Sequence, residues 1–436
     1  MDWGVTLTIA IAVLLMLFTL GMPVFVAFLV INVVGVFMLF GTSGFGMFTN
    51  SIYQTINQES LIAIPLFILM GEVLFRSNAV DILANSIDKM VGNVRGRHYV
   101  LVTALSTVFG ALSGSAVAVA AMLGRTVLPS MEQRGYDVRL ATSAVLGGAS
   151  LAPIIPPSLL VVMVGSMVDV SIAKLLIAGI IPGVMMAFVM VIYTYIRILR
   201  DPSLEPPQKE AKAEFNLKEF VMAFVRTLPF LIVIFSVMGL ILLGVVTPTE
   251  SAATGVLGAL VAAAVFRKLS LKMMYQALLG TCSVSAMILI IMASSMLFGQ
   301  LLSFTGASSG LVRMASEMDL PTVGTFIILM LIPFLLCMFV DLFAVMLVAI
   351  PIYDPLLQVY GFDPVWFWML FLINLTLGSL TPPFGYTIFA LKGAMPSLSL
   401  DDVYAGAWPM VGLFILGMAI MYVFPGIITW LPALIG

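Results

Sequence analysis

The chain has 436 residues, of which 62% are hydrophobic and only 9% charged, with a mean hydropathy of +1.18 and a formal net charge of −2. Soluble globules carry roughly a quarter of their residues as Asp, Glu, Lys or Arg, so this composition excludes one and indicates a polytopic membrane protein embedded in a lipid bilayer. A single histidine, His98, excludes haem or zinc centres built on several imidazoles, and Cys282 and Cys337, both inside apolar runs, suggest no disulfide framework.

Read in order, the first half gives apolar runs at about 5–21, 22–41 and 60–76, followed by a polar, amphipathic stretch at 77–97 expected at the interface. Acidic Asp2 and the lack of a basic lead-in mark the first run as a retained span, not a signal peptide. Two short apolar segments follow, about 98–112 and 116–131, joined by Ser113-Gly114-Ser115, and together they read as a re-entrant hairpin. A run at about 138–168 is interrupted at Pro153 and Pro156-Pro157, and a run at about 172–198 closes the half. Arg200 to Lys218 is a linker rich in proline and charge. The series then recurs: about 222–246, 248–266 and 274–302, an interfacial 303–320, a hairpin at 321–358, a broken run at 364–395 and a last run at 403–431. The expected organisation is one repeat over 1–199, a linker over 200–221 and a second repeat over 222–436.

The recurrence has a fixed register. Slid by 226 positions, Leu112–Ser158 falls on Met338–Phe384 without a gap: Pro129 meets Pro355, Gly135 meets Gly361, Asp137 meets Asp363, and Pro156-Pro157 meets Pro382-Pro383. Such a repeat implies one structural unit built twice, here all-α. In membrane proteins, paired interruptions at matching places in two halves point to a transporter's binding site. If both hairpins are re-entrant, each half crosses five times and the halves insert upside down relative to one another. The positive-inside rule agrees: with both termini outside, all basic residues except Lys174 and Arg313 lie on or toward the cytoplasmic face. Trp3, Trp366, Trp368, Trp408 and Trp430 fall near proposed span ends, where indole rings favour the interface.

Backbone groups freed at membrane depth need partners, at several kcal/mol each. Ser113, Gly114 and Ser115 allow a sharp turn and offer hard oxygen donors suited to a small cation such as sodium. The facing break, Gly147 to Pro153 and including Gly148, ends a half-helix whose negative dipole end favours the same cation. In the second half the equivalents are Val340 and Asp341 at the hairpin tip, and Asn374 to Ser379 (with Thr376 and Gly378) before Thr381-Pro382-Pro383. Half-helix N-termini beyond the prolines suit an anionic substrate group. Close helix packing and simple proline kinks are the competing explanation for one copy; two copies in one register favour function. Asp341 is a candidate for an ion site or for a helix cap, and Arg125 for a substrate carboxylate or for snorkelling to the interface. Glu72 and Arg76 form an i,i+4 pair, and Thr247-Pro248-Thr249-Glu250 has the form of a capping box. No Gly-x-x-x-x-Gly-Lys-Ser/Thr loop is present, so ATP bound to this chain is not the energy source, and no enzyme motif or nucleic-acid partner is expected.

SGSAVAVAAMLGRTVLPSMEQRGYD, GGASLAPIIPPS, VTPTESAATG and LGSLTPPFGYTIFALKG together resemble the large membrane subunit of tripartite ATP-independent periplasmic (TRAP) transporters, the DctM-like family, over essentially the whole chain. The resemblance implies a bacterial or archaeal inner-membrane protein that works with a small four-span membrane subunit and a periplasmic substrate-binding protein. It implies import of organic acids, such as C4-dicarboxylates, sialic acid or other sugar acids, coupled to sodium. It also implies an elevator in which the hairpins and broken spans slide against a scaffold of the remaining spans. By motif position, sodium regions fall on Ser113, Gly114, Ser115, Gly148 and Pro153, and on Val340, Asp341, Thr376, Gly378 and Thr381. Substrate contacts fall on Ser115, Arg125, Pro156, Pro157 and Pro383. No organic cofactor is implied. The alternative is a stand-alone carboxylate symporter or ion antiporter of the same broad superfamily.

Overall fold

The computed structural model describes residues 2–77, 82, 86, 96–168, 170–206, 217–318 and 321–435. Most of the expected interfacial stretch at 77–97, and the linker residues 207–216, lie outside the described residues. Those described form helices and no strands. In the first half these are α1 (Trp3–Thr19), α2 (Val24–Phe40), α3 (Gly46–Ile56), α4 (Ala63–Arg76), α5 (Arg97–Ser113), α6 (Ala116–Thr126), α7 (Leu128–Gln133), α8 (Val138–Ala149), α9 (Leu159–Met167), α10 (Ile172–Ala178) and α11 (Ile180–Arg200). The second half has α12 (Leu217–Ile234), α13 (Pro248–Val265), α14 (Leu271–Phe304), α15 (Ala307–Glu317), α16 (Thr322–Cys337), α17 (Leu342–Tyr360), α18 (Pro364–Leu380), α19 (Tyr386–Ala394), α20 (Leu400–Val423) and α21 (Gly426–Ala433). Among the described residues seven helical stretches are long and apolar enough to cross a membrane, which makes this a multi-pass membrane protein.

Helix boundaries follow the repeat. Shifted by 226 positions, the start of α6 falls on the start of α17, and that of α8 on that of α18. The caps repeat too: Asp137 Oδ1 accepts from Leu140 N at 2.7 Å and Asp363 Oδ1 from Trp366 N at 2.8 Å, each satisfying a free donor in the first turn. Close approach of hairpin to broken span also recurs, with the glycine moved to the other partner. In the first half Gly110 on α5 meets Ala152, a Cβ at Gly110 falling 3.1 Å from the Ala152 Cα; in the second, Gly378 on α18 meets Cys337 on α16.

Beyond glancing contacts, the described helices sort into two bodies. Body A holds α1–α4 and α12–α15; body B holds α5–α11 and α16–α21. They meet through α4 and the turn Glu59–Ile62 against α5 and α9, and through α14 and α15 against α17. Each half of the sequence contributes to both bodies. Within body B the halves interlock: α6 packs on α19, and α8 packs on α20 with Arg139 Nε 2.8 Å from Asp402 Oδ1 and Ser143 Oγ donating to Gly406 O at 2.7 Å.

Three sequence expectations change. The last span of each half, α10–α11 and α20, packs on the broken spans and not on the first spans of each half, because contacts of a helix face are not encoded in its length. Helix α3 was not expected; its mixture of Thr, Asn, Gln and Ser breaks the apolar run, yet Ser51 Oγ donates to Ala293 O at 2.9 Å and buries its polar face on α14. Trp366 and Trp368 are 6% and 0% exposed inside body B, since every residue of α18 from Trp366 to Leu380 is buried.

A Cβ at Gly378 would sit 2.5 Å from the Cys337 Cβ and 2.7 Å from the Phe334 carbonyl oxygen, whereas Gly393 has nothing within 4 Å. Gly378→Ala is expected to destabilise the protein by about 1–3 kcal/mol by overpacking. Gly393→Ala should be neutral or slightly stabilising through helix propensity. Thermal unfolding of the two variants in one detergent checks the order.

Candidate functional site

Both hairpins turn where the residue types predict. Helix α5 ends at Ser113, Gly114 takes φ +65°, a conformation that favours glycine, and α6 restarts with Ser115 as its cap. Ser115 Oγ accepts from Ala118 N at 3.3 Å, and Ser113 Oγ accepts from Ser115 N at 3.3 Å, so both hydroxyls keep further lone pairs. The last carbonyls of α5 have no helical partner at this turn. The second turn lies between Cys337 and Leu342. There Asp341 caps α17, Oδ2 accepting from Phe343 N at 3.0 Å.

Each tip faces the break in the neighbouring span. A Cβ at Gly114 would lie 3.4 Å from Leu159 Cγ, placing the first tip against the start of α9, just beyond Pro156-Pro157. In the second half the Phe339 and Phe384 rings stand 5.1 Å apart, joining the tip to the break after Thr381. Both proline pairs, Pro156-Pro157 and Pro382-Pro383, have a cis peptide bond. Helix α9 also touches α17 and α18, so the two breaks belong to one packed unit.

The first break spans 150–158. Ser158 bridges it: Oγ donates to Pro153 O at 2.6 Å and accepts from Val161 N at 3.3 Å, capping α9. Ser150 Oγ, at the end of α8, is buried and has no hydrogen-bond partner. The second break spans 381–385, where Gly385 takes φ +29° and Tyr404 Oη donates to Pro383 O at 2.5 Å.

The helix breaks begin later than the sequence reading placed them. Gly148 lies inside α8, and Thr376 and Gly378 inside α18, so their backbones are helical and not at a break. Thr376 Oγ1 donates to Leu372 O and Thr381 Oγ1 to Leu377 O, the bonds a buried threonine makes to its own helix. In the first half the Ser113–Ser115 turn meets Leu159, two residues beyond Pro156-Pro157; in the second, Phe339, beside Val340 and Asp341, meets Phe384, beside Pro383. Arg125 does not join them. It is exposed in the last turn of α6, about 15 Å along the helix axis from Ser115. Glu72 and Arg76 pair at 2.6 Å, and Thr247–Glu250 is a capping box, as their spacings predict. Among the described residues no three His, Cys, Asp or Glu side chains cluster as a metal site.

Polytopic helices carrying two re-turning hairpins against two interrupted spans define a membrane transporter fold. The chain belongs to the family of the DctM component of tripartite ATP-independent periplasmic transporters, whose model matches residues 11–427. It is 32% identical to the ectoine TRAP transporter large permease protein TeaC of Halomonas elongata, over 97% of this chain and 98% of that one. It is 30% identical to the ectoine/5-hydroxyectoine TRAP transporter large permease protein UehC of Ruegeria pomeroyi, over 94% and 95%. The fold is also similar to that of the YdaH transporter of Alcanivorax borkumensis, reported as having an unusual topology, with a TM-score of 0.58 and 13% identity over 88% of this chain and 89% of that one.

Removing an orphaned buried hydroxyl leaves nothing unpaired, whereas removing a cap does. Ser158→Ala is expected to cost about 0.5–2 kcal/mol, the usual range for an N-cap. Ser150→Ala should leave the unfolding temperature unchanged or raised, and the reverse order in thermal unfolding would contradict the assignment.

Proposed function

We propose that the chain is the large membrane subunit of a sodium-coupled importer of small organic carboxylates, in which body B carries cargo and ions past body A in an elevator motion. The observation that carries this reading is that both hairpin tips and both helix breaks lie in one body, which meets the other over a limited set of helices. The halves are inverted, with both termini periplasmic and the inter-repeat linker cytoplasmic; the lopsided placement of lysine and arginine supports this.

Sodium binds at each tip-and-break pair. In the first half the donors are the Ser113–Ser115 turn, the C-terminal end of α8 and the orphaned Ser150 Oγ, a hard-oxygen set at a negative helix end. In the second half Val340, Asp341 and Thr381 supply the equivalent oxygens, and the carboxylate makes the two sites unlike. The N-terminal ends of α9 and α19, beyond the proline pairs, hold the substrate carboxylate, with Ser115, Pro156, Pro157 and Pro383 around it. An anion alone is costly in the membrane; cations bound beside it lower that cost, and their gradient drives the cycle.

A small four-span membrane subunit and a periplasmic binding protein complete the system in the inner membrane, as the family's tripartite description supports. Similar permeases are named for ectoine and for C4-dicarboxylate, so a small organic acid is the expected cargo. A stand-alone carrier is the alternative; full transport by this chain reconstituted by itself would favour it.

Uptake of the cognate acid into proteoliposomes holding both membrane subunits, with binding protein outside, is expected to fall to background when external sodium is replaced by potassium. Undiminished uptake would contradict the coupling. Ser150→Ala should raise the sodium concentration for half-maximal uptake severalfold while leaving stability intact.

A further inference from the structure

Among the described residues, few hydrogen bonds cross between the bodies, and two of them share a feature. Gln58 Nε2, in the turn before α4, donates to Ser166 O on α9 at 2.9 Å. Ser295 Oγ, on α14 and fully buried, donates to Leu347 O on α17 at 2.6 Å. Helix α15, which packs on both α14 and α17, adds a bond from Tyr360 Oη to Ala315 O at 3.1 Å.

The first two acceptors are carbonyls that lack the usual helical donor four residues on. Ser166 lies in the last turn of α9, and the N–H four residues on, that of Val170, is given to Val168 O at 2.7 Å instead. Leu347 lies inside α17, but the residue four positions on is Pro351, which has no N–H to give. A buried carbonyl left in that state costs far more than an ordinary hydrogen bond is worth. Body A therefore supplies a donor that body B lacks, in the arrangement seen here.

The donor at Ser295 is also held in place. The two preceding carbonyls of α14 are taken from within body A: Ser51 Oγ donates to Ala293 O at 2.9 Å and Asn32 Nδ2 to Ser294 O at 2.7 Å. One turn of α14 is thus tied to α2 and α3 and presents the Ser295 hydroxyl to α17. Gln58 is less fully satisfied, its Oε1 being buried without a partner, so its link is the weaker of the two.

We propose that Ser295 and Gln58 are positioning residues of the transport cycle, latches that hold body B in this register by completing the orphaned carbonyls of Leu347 and Ser166. This rests on the reading that the two bodies slide. The proline at 351 makes the Ser295 latch obligatory: when body B moves, Leu347 O must find another donor, so intermediate positions are disfavoured and the register becomes a defined stop.

The test uses the full-length chain in lipid nanodiscs with Cys282→Ser, spin labels at Leu271→Cys on α14 and Asp401→Cys on α20, and distance distributions read by pulsed EPR. Residue 271 is 91% exposed and 401 is exposed, so both accept labels. Ser295→Ala is expected to shift the population away from the present distance by about tenfold, the effect of an unsatisfied buried carbonyl, and Gln58→Ala by a few-fold in the same direction. Ser295→Thr keeps a hydroxyl and should restore the wild-type distribution. Pro351→Ala returns the missing N–H, so in that background Ser295→Ala should have little effect, a pattern that a merely structural role for the serine would not produce. A Ser295→Ala distribution identical to wild type overturns the proposal. If the wild-type distances respond to sodium while Ser295→Ala copies them, the latch is rejected and the sliding reading stands. If wild type shows one distance under all conditions and Ser295→Ala reveals a second, the latch is supported.

Discussion

A helix interrupted inside an apolar layer must find new partners for the N–H and C=O groups it frees, and this molecule is arranged around that requirement. At the first break the chain answers locally: Ser158 takes the Pro153 carbonyl and caps the next helix with one hydroxyl. At the second, Tyr404 reaches from α20 to the Pro383 carbonyl. What local bonds do not complete, the opposing hairpin tip and an ion can. The same need reappears away from the breaks, where Pro351 strips a donor from α17 and Ser295 of the other body replaces it. The structure, and the transport cycle proposed for it, draw on one physical deficit, the unpaired carbonyl in a dry environment.

The division into two bodies follows from how the repeat is folded. Each half sends its first spans to body A and its hairpin, broken span and last span to body B. Body B is held by interlocked halves, including the Arg139–Asp402 pair and the packing of α6 on α19. Its contact with body A is narrow and carries few directional bonds. A tightly packed unit with few directional bonds to its neighbour suits the rigid-body displacement proposed for it, since packed cores are bistable and do not deform continuously.

Much of this was legible in the sequence because glycine and proline act locally. Gly114 and the two proline pairs interrupt helices wherever they occur in such a run, so the breaks could be placed within a few residues. The errors came from residues whose local and tertiary preferences differ. Thr376 and Gly378 suggest a loop, yet α18 continues to Leu380: the threonine bonds to its own helix and the glycine admits Cys337. Trp366 and Trp368 suggest a lipid interface, but α18 is enclosed on all sides. Which helices share a body, and that Ser295 matters because of a proline 56 positions away, depend on packing that no window of sequence contains.

The central claim is that the two tip-and-break pairs bind the coupling ion. Backbone hydrogen–deuterium exchange of the chain in nanodiscs, compared in sodium and in potassium at equal ionic strength, tests it most directly. Sodium is expected to slow exchange at 112–118 with 150–155, and at 339–345 with 381–386, while leaving the capped start of α13 at 247–251 unchanged. Exchange at both pairs that is the same in the two salts would contradict the account.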